Sequence, residues 1–498
     1  MVESESNTVT VHDEQTPLLI VSKPKKPRTP LPKLQLAIAI FLQIGEPLTS
    51  QSIYPYVNQL IRELDVTGGD DRKVGYYAGL IESLFFATEA VTVLHWSRLS
   101  DHVGRKPVLL IGIFGSMVSM LSFGLSKTFL ALIVSRCLQG LLNGNVGVMK
   151  SVMGDLTDTT NRAEAFALLS LVWATGCTVG PLIGGTLSHP HERFPNAFPS
   201  PFWKSYPYFL PCLVVAIYLF SAFLVTLTSF KETVKKKERN HKRGASDNTV
   251  NTLAQADDQP PTDAAPVKFR ELLIYPVLLS VSNYAALAFL NLCMYALLPL
   301  FLAMPVEIGG LGVSPQIIGL ALGVYGATTG AVQTLLFARI VRYFGERNTF
   351  VFSMFSYIPA FFLFPVISIA ARSFGVGWLT WTLIGLLVAF LSATDLGYGC
   401  IFMFVTASSP NKQSLGATNG LSQMSVSFAR AVGPWLATSM FSFSVEKNIL
   451  GGYGVYAFLI FASCFAVGWA SRLPKEGWPE KYDHDDIVSR EICGVSSP

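Results

Sequence analysis

Apolar residues along this chain come in long unbroken blocks, without the strict alternation of half-buried strands or the one-sided stripe of surface helices. About twelve blocks are long enough to cross a bilayer as a helix. They start near Leu36, Val74, Pro107, Thr128, Ala165, Tyr208, Leu272, Pro315, Thr349, Trp378, Leu415 and Gly451. The pattern predicts an all-α polytopic membrane protein with twelve transmembrane helices. A long hydrophilic stretch divides them six and six. The expected organisation is a tail over 1–33, a six-helix bundle over 34–230, a linker over 231–270, a second bundle over 271–472 and a tail over 473–498. The first block follows a polar tail and lacks a cleavage pattern, so it is expected to be a retained span.

Charge orients the spans. With the N-terminal tail in the cytosol, about 23 Lys and Arg up to the last span fall on that side and about 8 on the other. That bias is the positive-inside rule, and it predicts both termini in the cytosol. The formal net charge of +4 is then a sign of topology rather than of nucleic-acid binding. The linker opens with the basic run Lys235, Lys236, Lys237, Glu238, Arg239 and continues in Ser, Asp, Gln, Pro and Ala, too polar to fold alone. Its basic end suits anionic lipid. Half of all residues are hydrophobic, and six of the seven cysteines fall inside predicted spans, so no disulfide framework is implied.

Ionisable residues inside apolar blocks carry the chemistry. Glu46, between Gly45 and Pro47, stands near the middle of the first block. A carboxylate at that depth costs about 2.5–3.5 kcal/mol unless paired, protonated or wetted, and Gly and Pro loosen a helix that lines a cavity. A carboxyl in a low-dielectric cavity takes up a proton readily, so Glu46 is the first candidate for proton binding. Arg136 in span four is read as its partner or as an anchor for an anionic substrate, with Gln139 and Asn143 on the same face. Asp395 in span ten and Arg430 in span eleven are the equivalent charges of the second half, with Asn419 and Gln423 below Arg430. Static helix-to-helix charge pairing is the plainer role for each. Glu82 is read as lying nearer the outer mouth, and Glu89 as approaching the cytosolic cluster around Arg98 and Arg105. Tyr54, Trp173, Tyr284, Tyr295, Tyr325 and Tyr398 are aromatic candidates for the cavity wall.

The two halves repeat. Ser97-Arg98-Leu99-Ser100-Asp101-His102-Val103-Gly104-Arg105-Lys106 follows span two, and Ala338-Arg339-Ile340-Val341-Arg342-Tyr343-Phe344-Gly345-Glu346-Arg347 follows span eight. Gly180-Pro181 in span five is matched by Gly433-Pro434 in span eleven. Such duplication is the signature of a transporter built from repeats.

Three motifs then resemble the major facilitator superfamily over nearly everything from Leu36 to Arg472: Asp101-His102-Val103-Gly104-Arg105-Lys106 after span two, Arg136-Cys137-Leu138-Gln139-Gly140 in span four, and Gly176-x-x-x-Gly180-Pro181-x-x-Gly184-Gly185 in span five. The third is characteristic of the proton-antiporter branch. Glu46-Pro47, the stretch Tyr77 to Ser83, and Leu415-Gly416-Ala417-Thr418-Asn419-Gly420 with Arg430-Ala431-Val432-Gly433-Pro434 are similar to the fungal and plant zinc-induced facilitator-like group.

The resemblance implies two bundles rocking about a central cavity, with proton-coupled antiport of a small organic molecule or metal chelate. A symporter or uniporter on the same fold and a non-transporting nutrient sensor are the rivals. The resemblance also implies a cytosolic latch of Ser97, Asp101, Gly104, Arg105 and Lys106. Ser97 and His102 stand where the family has Gly and Arg, and the second copy has Arg342 in place of the acid. Gly176, Gly180, Pro181, Gly184 and Gly185 form the span-five packing motif. The expected partners are a small-molecule substrate and the lipid bilayer, with no nucleic acid, no cofactor beyond the proton gradient and a monomeric state. No phosphate-binding loop and no nucleophile-base arrangement is found, so no enzyme is expected. His189-Pro190-His191-Glu192 in an outer loop is read as an ordinary loop rather than a metal site. Glu14-Gln15-Thr16-Pro17-Leu18-Leu19 resembles an acidic dileucine signal, which leaves the address as vacuole, endosome or plasma membrane.

Overall fold

A computed structural model describes Pro30 and residues 32–157, 162–233, 273–410 and 414–475. The dileucine-like segment, the basic run of the linker, and Cys493 lie outside the described residues. The first half comprises α1 (Lys33–Gln43), α2 (Gly45–Gln51), α3 (Val57–Glu63), α4 (Val74–Val103), α5 (Arg105–Gly124), α6 (Phe129–Leu142), α7 (Asn145–Leu156), α8 (Arg162–Leu187), the short α9 (Pro190–Arg193) and α10 (Pro201–Ser205), and α11 (Phe209–Ser229). The second comprises α12 (Tyr275–Ala303), α13 (Pro315–Leu335), α14 (Phe337–Phe344), α15 (Glu346–Phe374), α16 (Trp378–Thr394), α17 (Leu396–Ala407), α18 (Leu415–Glu446) and α19 (Gly454–Ala470). Read as passes, α1–α3, α4, α5, α6–α7, α8 and α11 make six antiparallel spans, and α12, α13, α15, α16–α17, α18 and α19 make six more. We call the end holding Lys33 and Ala470 the terminal end and the opposite one the far end.

By length and composition alone, seven spans among the described residues are apolar enough to cross a membrane. Among the described residues, α4 joins them only as a bent pair, with a 43° bend between Val93 and His95. Among the described residues the first span is broken, α19 is apolar but 17 residues long, and the seam-forming α18 carries many glycine and hydroxyl residues. The uniform blocks read from the sequence are therefore uneven in three dimensions.

The first span breaks where its sequence softens. Pro47 and Pro55 each lack an N–H, so one carbonyl a turn earlier loses its helical partner. The helix is interrupted at Ile44 and again over 52–56. Around the breaks side chains add hydrogen bonds to the backbone, Thr49 Oγ1 donating to the Glu46 carbonyl at 2.7 Å and Ser52 Oγ to the Thr49 carbonyl at 3.2 Å. Gly104 (φ +115°) and Gly345 (φ +81°) make the same sharp turn at corresponding places, before α5 and before α15. Both need a backbone conformation that a side chain resists. The repeat is thus conformational as well as sequential.

The halves meet along two seams, α4 with α18 and α8 with α13. Glycines make both possible. A methyl placed on Gly79 would stand 2.9 Å from the Pro434 carbonyl oxygen and from Trp435 Cα, and one on Gly326 would stand 2.5 Å from the Cys177 carbonyl oxygen. Hydrogen bonds that cross between the halves at the far end run from Arg62 Nη2 to the Ala303 carbonyl (2.7 Å), from Tyr76 OH to Glu446 Oε2 (3.4 Å) and from the Trp435 N–H to Ser83 Oγ (2.9 Å). Toward the terminal end the packing thins. Met424 and Phe428 on α18 are 60% and 71% exposed, and nothing lies within 4 Å of a methyl placed on Gly420. The halves are shut at the far end and part toward the terminal end.

Candidate functional site

The polar interior is built on the face that α4 turns to α6. The two helices run in parallel from the far end, so residues seven apart on one meet residues seven apart on the other. Glu82 accepts a hydrogen bond from Tyr54 OH and lies within electrostatic range of Arg136. One heptad on, Glu89 Oε1 accepts from Asn143 Nδ2 at 3.3 Å. Gly140 lets the helices touch, since a methyl there would stand 3.1 Å from the Glu89 amide nitrogen. Arg136 is 5% exposed; Nη1 donates to Gln139 Oε1 at 2.6 Å, and its guanidinium lies 4.6 Å from the centre of the Phe123 ring. A buried guanidinium with an aromatic face and a neutral acceptor keeps its charge without a tight ion pair.

Two sequence assignments change here. Arg136 and Glu46 are not each other's partners: Arg136 faces Glu82, Tyr54 and Gln139, while Glu46 Oε2 accepts from Gln43 Nε2 at 3.0 Å and lies in range of Arg430. Glu89 does not turn to the Arg98 and Arg105 cluster either. It is 8% exposed and in range of Arg430. The signal was present: the heptad spacing of Glu82 and Glu89 matches that of Arg136 and Asn143.

In the second half, Asp395 interrupts a span between α16 and α17. Its carboxylate accepts from Asn291 Nδ2 at 3.1 Å and from Tyr325 OH at 2.8 Å, while Tyr398 OH donates to Asn291 Oδ1 at 3.1 Å. These donors are neutral, so Asp395 and Arg430 are separate features. Arg430 lies in range of Tyr284 and Tyr398 as well as Glu89 and Glu46, so it faces first-half carboxylates across the central space. Gln423 Nε2 reaches Tyr284 OH at 3.5 Å, and Asn419 is exposed on the same helix toward the terminal end. Of the aromatic candidates, Tyr54, Tyr284 and Tyr325 are buried in these networks, while Trp173 is 37% exposed.

At the terminal end, Arg105 gathers the latch. It bonds Asp101 and, at 2.6 Å, Ser100 Oγ through Nη1, and Asp155 Oδ2 at 3.4 Å through Nε. Asp101 is held within its own half and stays largely exposed, as fits an end that has parted. Ser97 keeps the close approach expected of a small residue, its Cβ lying 3.7 Å from a methyl placed on Gly147. His102 is exposed. Sequence reasoning missed Glu232, which had been assigned to the linker. Glu232 accepts from the N–H groups of Arg105 (2.8 Å) and Lys106 (3.0 Å), capping the N-terminus of α5 with a negative charge. Lys106 Nζ donates to the Phe230 carbonyl at 2.9 Å. In the second copy, Arg342 is exposed and Arg347 donates to the Ser471 carbonyl.

The span-five glycines divide by face. Methyls on Gly176, Gly180 and Gly184 would meet Pro47, Gln51 and Ser52 of the broken first span at 3.0 Å or less. Gly185 and Pro181 instead abut Gly319 of α13, in the other half; a methyl on Gly185 would stand 2.9 Å from Gly319 Cα. A row on α13 that the sequence analysis did not single out, Gly319, Gly323, Gly326 and Gly330, carries that seam. In the outer loop His189 Nε2 pairs with Glu63 Oε1 at 3.0 Å, while His191 Nδ1 meets the Phe198 carbonyl at 3.0 Å. The two imidazoles serve different partners, and no cluster of potential metal ligands occurs among the described residues.

Two six-helix halves, shut at one end around buried acids and guanidinia contributed by both, define a polytopic membrane transporter rather than an enzyme or an anchor. Residues 39–434 match the Major Facilitator Superfamily, and the chain belongs to that family. It is 33% identical over 487 residues to the Major facilitator-type transporter psiT2 of Psilocybe cyanescens, covering 90% of this chain and 92% of that protein. It is 27% identical to Protein ZINC INDUCED FACILITATOR-LIKE 1 of Arabidopsis thaliana, over 86% of this chain and 88% of the relative. Among solved structures, a bacterial homolog of the human lysosomal transporter Spinster aligns with a TM-score of 0.64 at 15% identity, covering 89% of this chain and 97% of that one. That likeness is one of fold.

Proposed function

We propose that this chain is a proton-coupled antiporter of a small organic molecule or metal chelate, working by alternating access. One observation carries the reading: Glu46 and Glu89 of the first half and Arg430 of the second gather in the central space while the halves are shut at the far end. Rocking the halves changes the distance between these charges, so their protonation and the open side are energetically linked. Substrate and proton then compete for the Glu46 carboxylate, and coupling is the difference in affinity between the two states.

The rest of the proposal follows from charge and resemblance. The bundles span 34–230 and 271–472, joined by a cytosolic linker over 231–270. The terminal end faces the cytosol, as the Lys and Arg bias favours. The protein acts as a monomer in a vacuolar, endosomal or plasma membrane, and the proton gradient supplies the energy.

The test is proton flux into proteoliposomes holding a pH-sensitive dye, under an imposed pH gradient, with organic cations, organic anions and zinc chelates added in turn. Proton movement opposite to one compound supports antiport and identifies a substrate; movement in the same direction converts the reading to symport. Glu46→Gln is expected to abolish pH-driven exchange, and unchanged exchange in that variant would refute the role given to Glu46.

A further inference from the structure

Resting on the proton-coupled reading, we propose that Glu82 is a second proton-carrying carboxylate. It exchanges its proton with the far-side aqueous phase through a small cavity shared with Tyr54, Asn58 and Arg136. The cavity has a volume of about 30 Å³, enough for a water molecule. Glu82, Tyr54, Asn58 and Arg136, with Ser50 and Thr438, supply its polar wall. Asn58 is 1% exposed and Arg136 5% exposed, and Asn58 Oδ1 and Arg136 Nε face no protein hydrogen-bond partner. One is an acceptor and the other a donor. A water between them and the Glu82 carboxylate would satisfy groups that otherwise carry the full cost of burial.

Ile53, Val57, Ala78, Ile81 and Phe85 of the first half complete the inner lining, and one side belongs to the other half. Ala296 and Pro299 of α12 and Thr438 of α18 close the cavity. Residues flanking Glu82 lie on the seam itself: Ser83 Oγ accepts the Trp435 N–H, and Gly79 packs on Pro434 and Trp435. Separating α4 from α18 at the far end removes that wall and joins the cavity to far-side water. A hydronium then delivers a proton to a Glu82 carboxylate oxygen, forming its O–H bond; the same bond breaks when the proton returns to water.

The groups facing Glu82 are Tyr54 from the first span, Arg136 from α6 and Cys293 from α12. On the inner side, Arg136 and Gln139 of α6 and Asn143 at its C-terminal end form a polar row from Glu82 to Glu89 and the space near Glu46 and Arg430. The two carboxylates of α4 are thus stations on one route, Glu82 toward the far side and Glu89 toward the terminal side. A static Tyr54–Glu82–Arg136 network, fixing helices and nothing more, is the competing account.

The experiment follows the carboxyl itself. In infrared difference spectra of the reconstituted full chain between two pH values, the wild type is expected to show a protonated-carboxyl band, distinct from that of Glu46, that Glu82→Gln loses and Glu46→Gln retains. Tyr54→Phe should move the midpoint of that titration, and Glu82→Asp should restore a titrating band, which a merely structural role does not predict. In the proteoliposome assay, Glu82→Gln should bring pH-driven flux to the level of empty liposomes while downhill exchange of the same compound continues. If Glu82→Gln keeps both the band and wild-type proton flux, this inference falls and the antiport reading stands. If the wild type moves no proton with any compound, both fall.

Discussion

A single methyl at Gly319 should tilt the balance between the two open states without unfolding the protein. Gly319 lies on α13 against Pro181 and Gly185 of α8, and its own seam partner Gly185 has no side chain to yield. The added Cβ would stand 2.9 Å from Gly185 Cα and closer still to the Pro181 carbonyl oxygen. Both neighbours are backbone, so relief requires α8 and α13 to move apart by about 0.6 Å or more, the gap between 2.9 Å and an ordinary carbon contact. Overpacking of this kind costs about 1–3 kcal/mol. Because the contact joins the two halves, the cost falls on the far-closed state, and the equilibrium should shift toward the far-open state by a factor of about 5–150. Spin labels placed on the far ends of α4 and α18 report that shift as a longer distance distribution for Gly319→Ala. Gly184→Ala is the contrast: its Cβ would stand 2.8 Å from the Ser52 carbonyl carbon, inside one half. That variant should lower thermal stability and leave the distance distribution alone. Unchanged distances and unchanged stability in Gly319→Ala would refute the claim that this seam is closed by backbone contact.

Two further outcomes follow. Outside the membrane, burial opposes the charge on both His189 and Glu63. Their mutual hydrogen bond, with Tyr208 and Gln59 on Glu63, outweighs it, so His189 is raised and Glu63 lowered from their ordinary values. The Glu63 contribution is present above 4.5 and lost as pH falls through its lowered value; the His189 contribution is present below 6.5 and lost as pH rises through its raised value. The pair should therefore add most between pH 4.5 and 6.5, about 1 kcal/mol for a partly exposed pair, and Glu63→Gln should lower the melting temperature within that window and reduce its fall on either side of it. At the terminal end, Glu232→Gln should weaken the α5 cap by about 1 kcal/mol. Amide hydrogen exchange at Arg105 and Lys106 should rise accordingly, and an unchanged rate would mean the cap does not hold those N–H groups.

Much of the fold was legible because burial in lipid leaves few options. Every backbone polar group must be satisfied within the span, so long apolar blocks read directly as helices. The motif glycines were legible for a similar reason, since small residues at a spacing of four mark a close approach. What that spacing did not reveal is the identity of the helix approached: Gly176, Gly180 and Gly184 meet the first span, whereas Gly185 meets α13. The candidate site was read less well. Each buried charge was visible as a costly residue, but Arg136 went to Glu82 and Tyr54 instead of Glu46. Glu232 was hidden by its place next to a polar stretch, where an acid signals nothing until the N-terminus of α5 is seen beside it.

The sequence by itself determined the all-helical character, the division into halves and the set of charges that needs an explanation, because these follow from periodicity, length and transfer free energy along one chain. Only the tertiary structure decided which charges face one another and at which end the halves are shut. Those depend on the rotation of each helix about its axis and on the packing of helices distant in sequence. A shift of one residue along a helix turns a side chain by about 100°, and nothing local in the chain chooses among those faces.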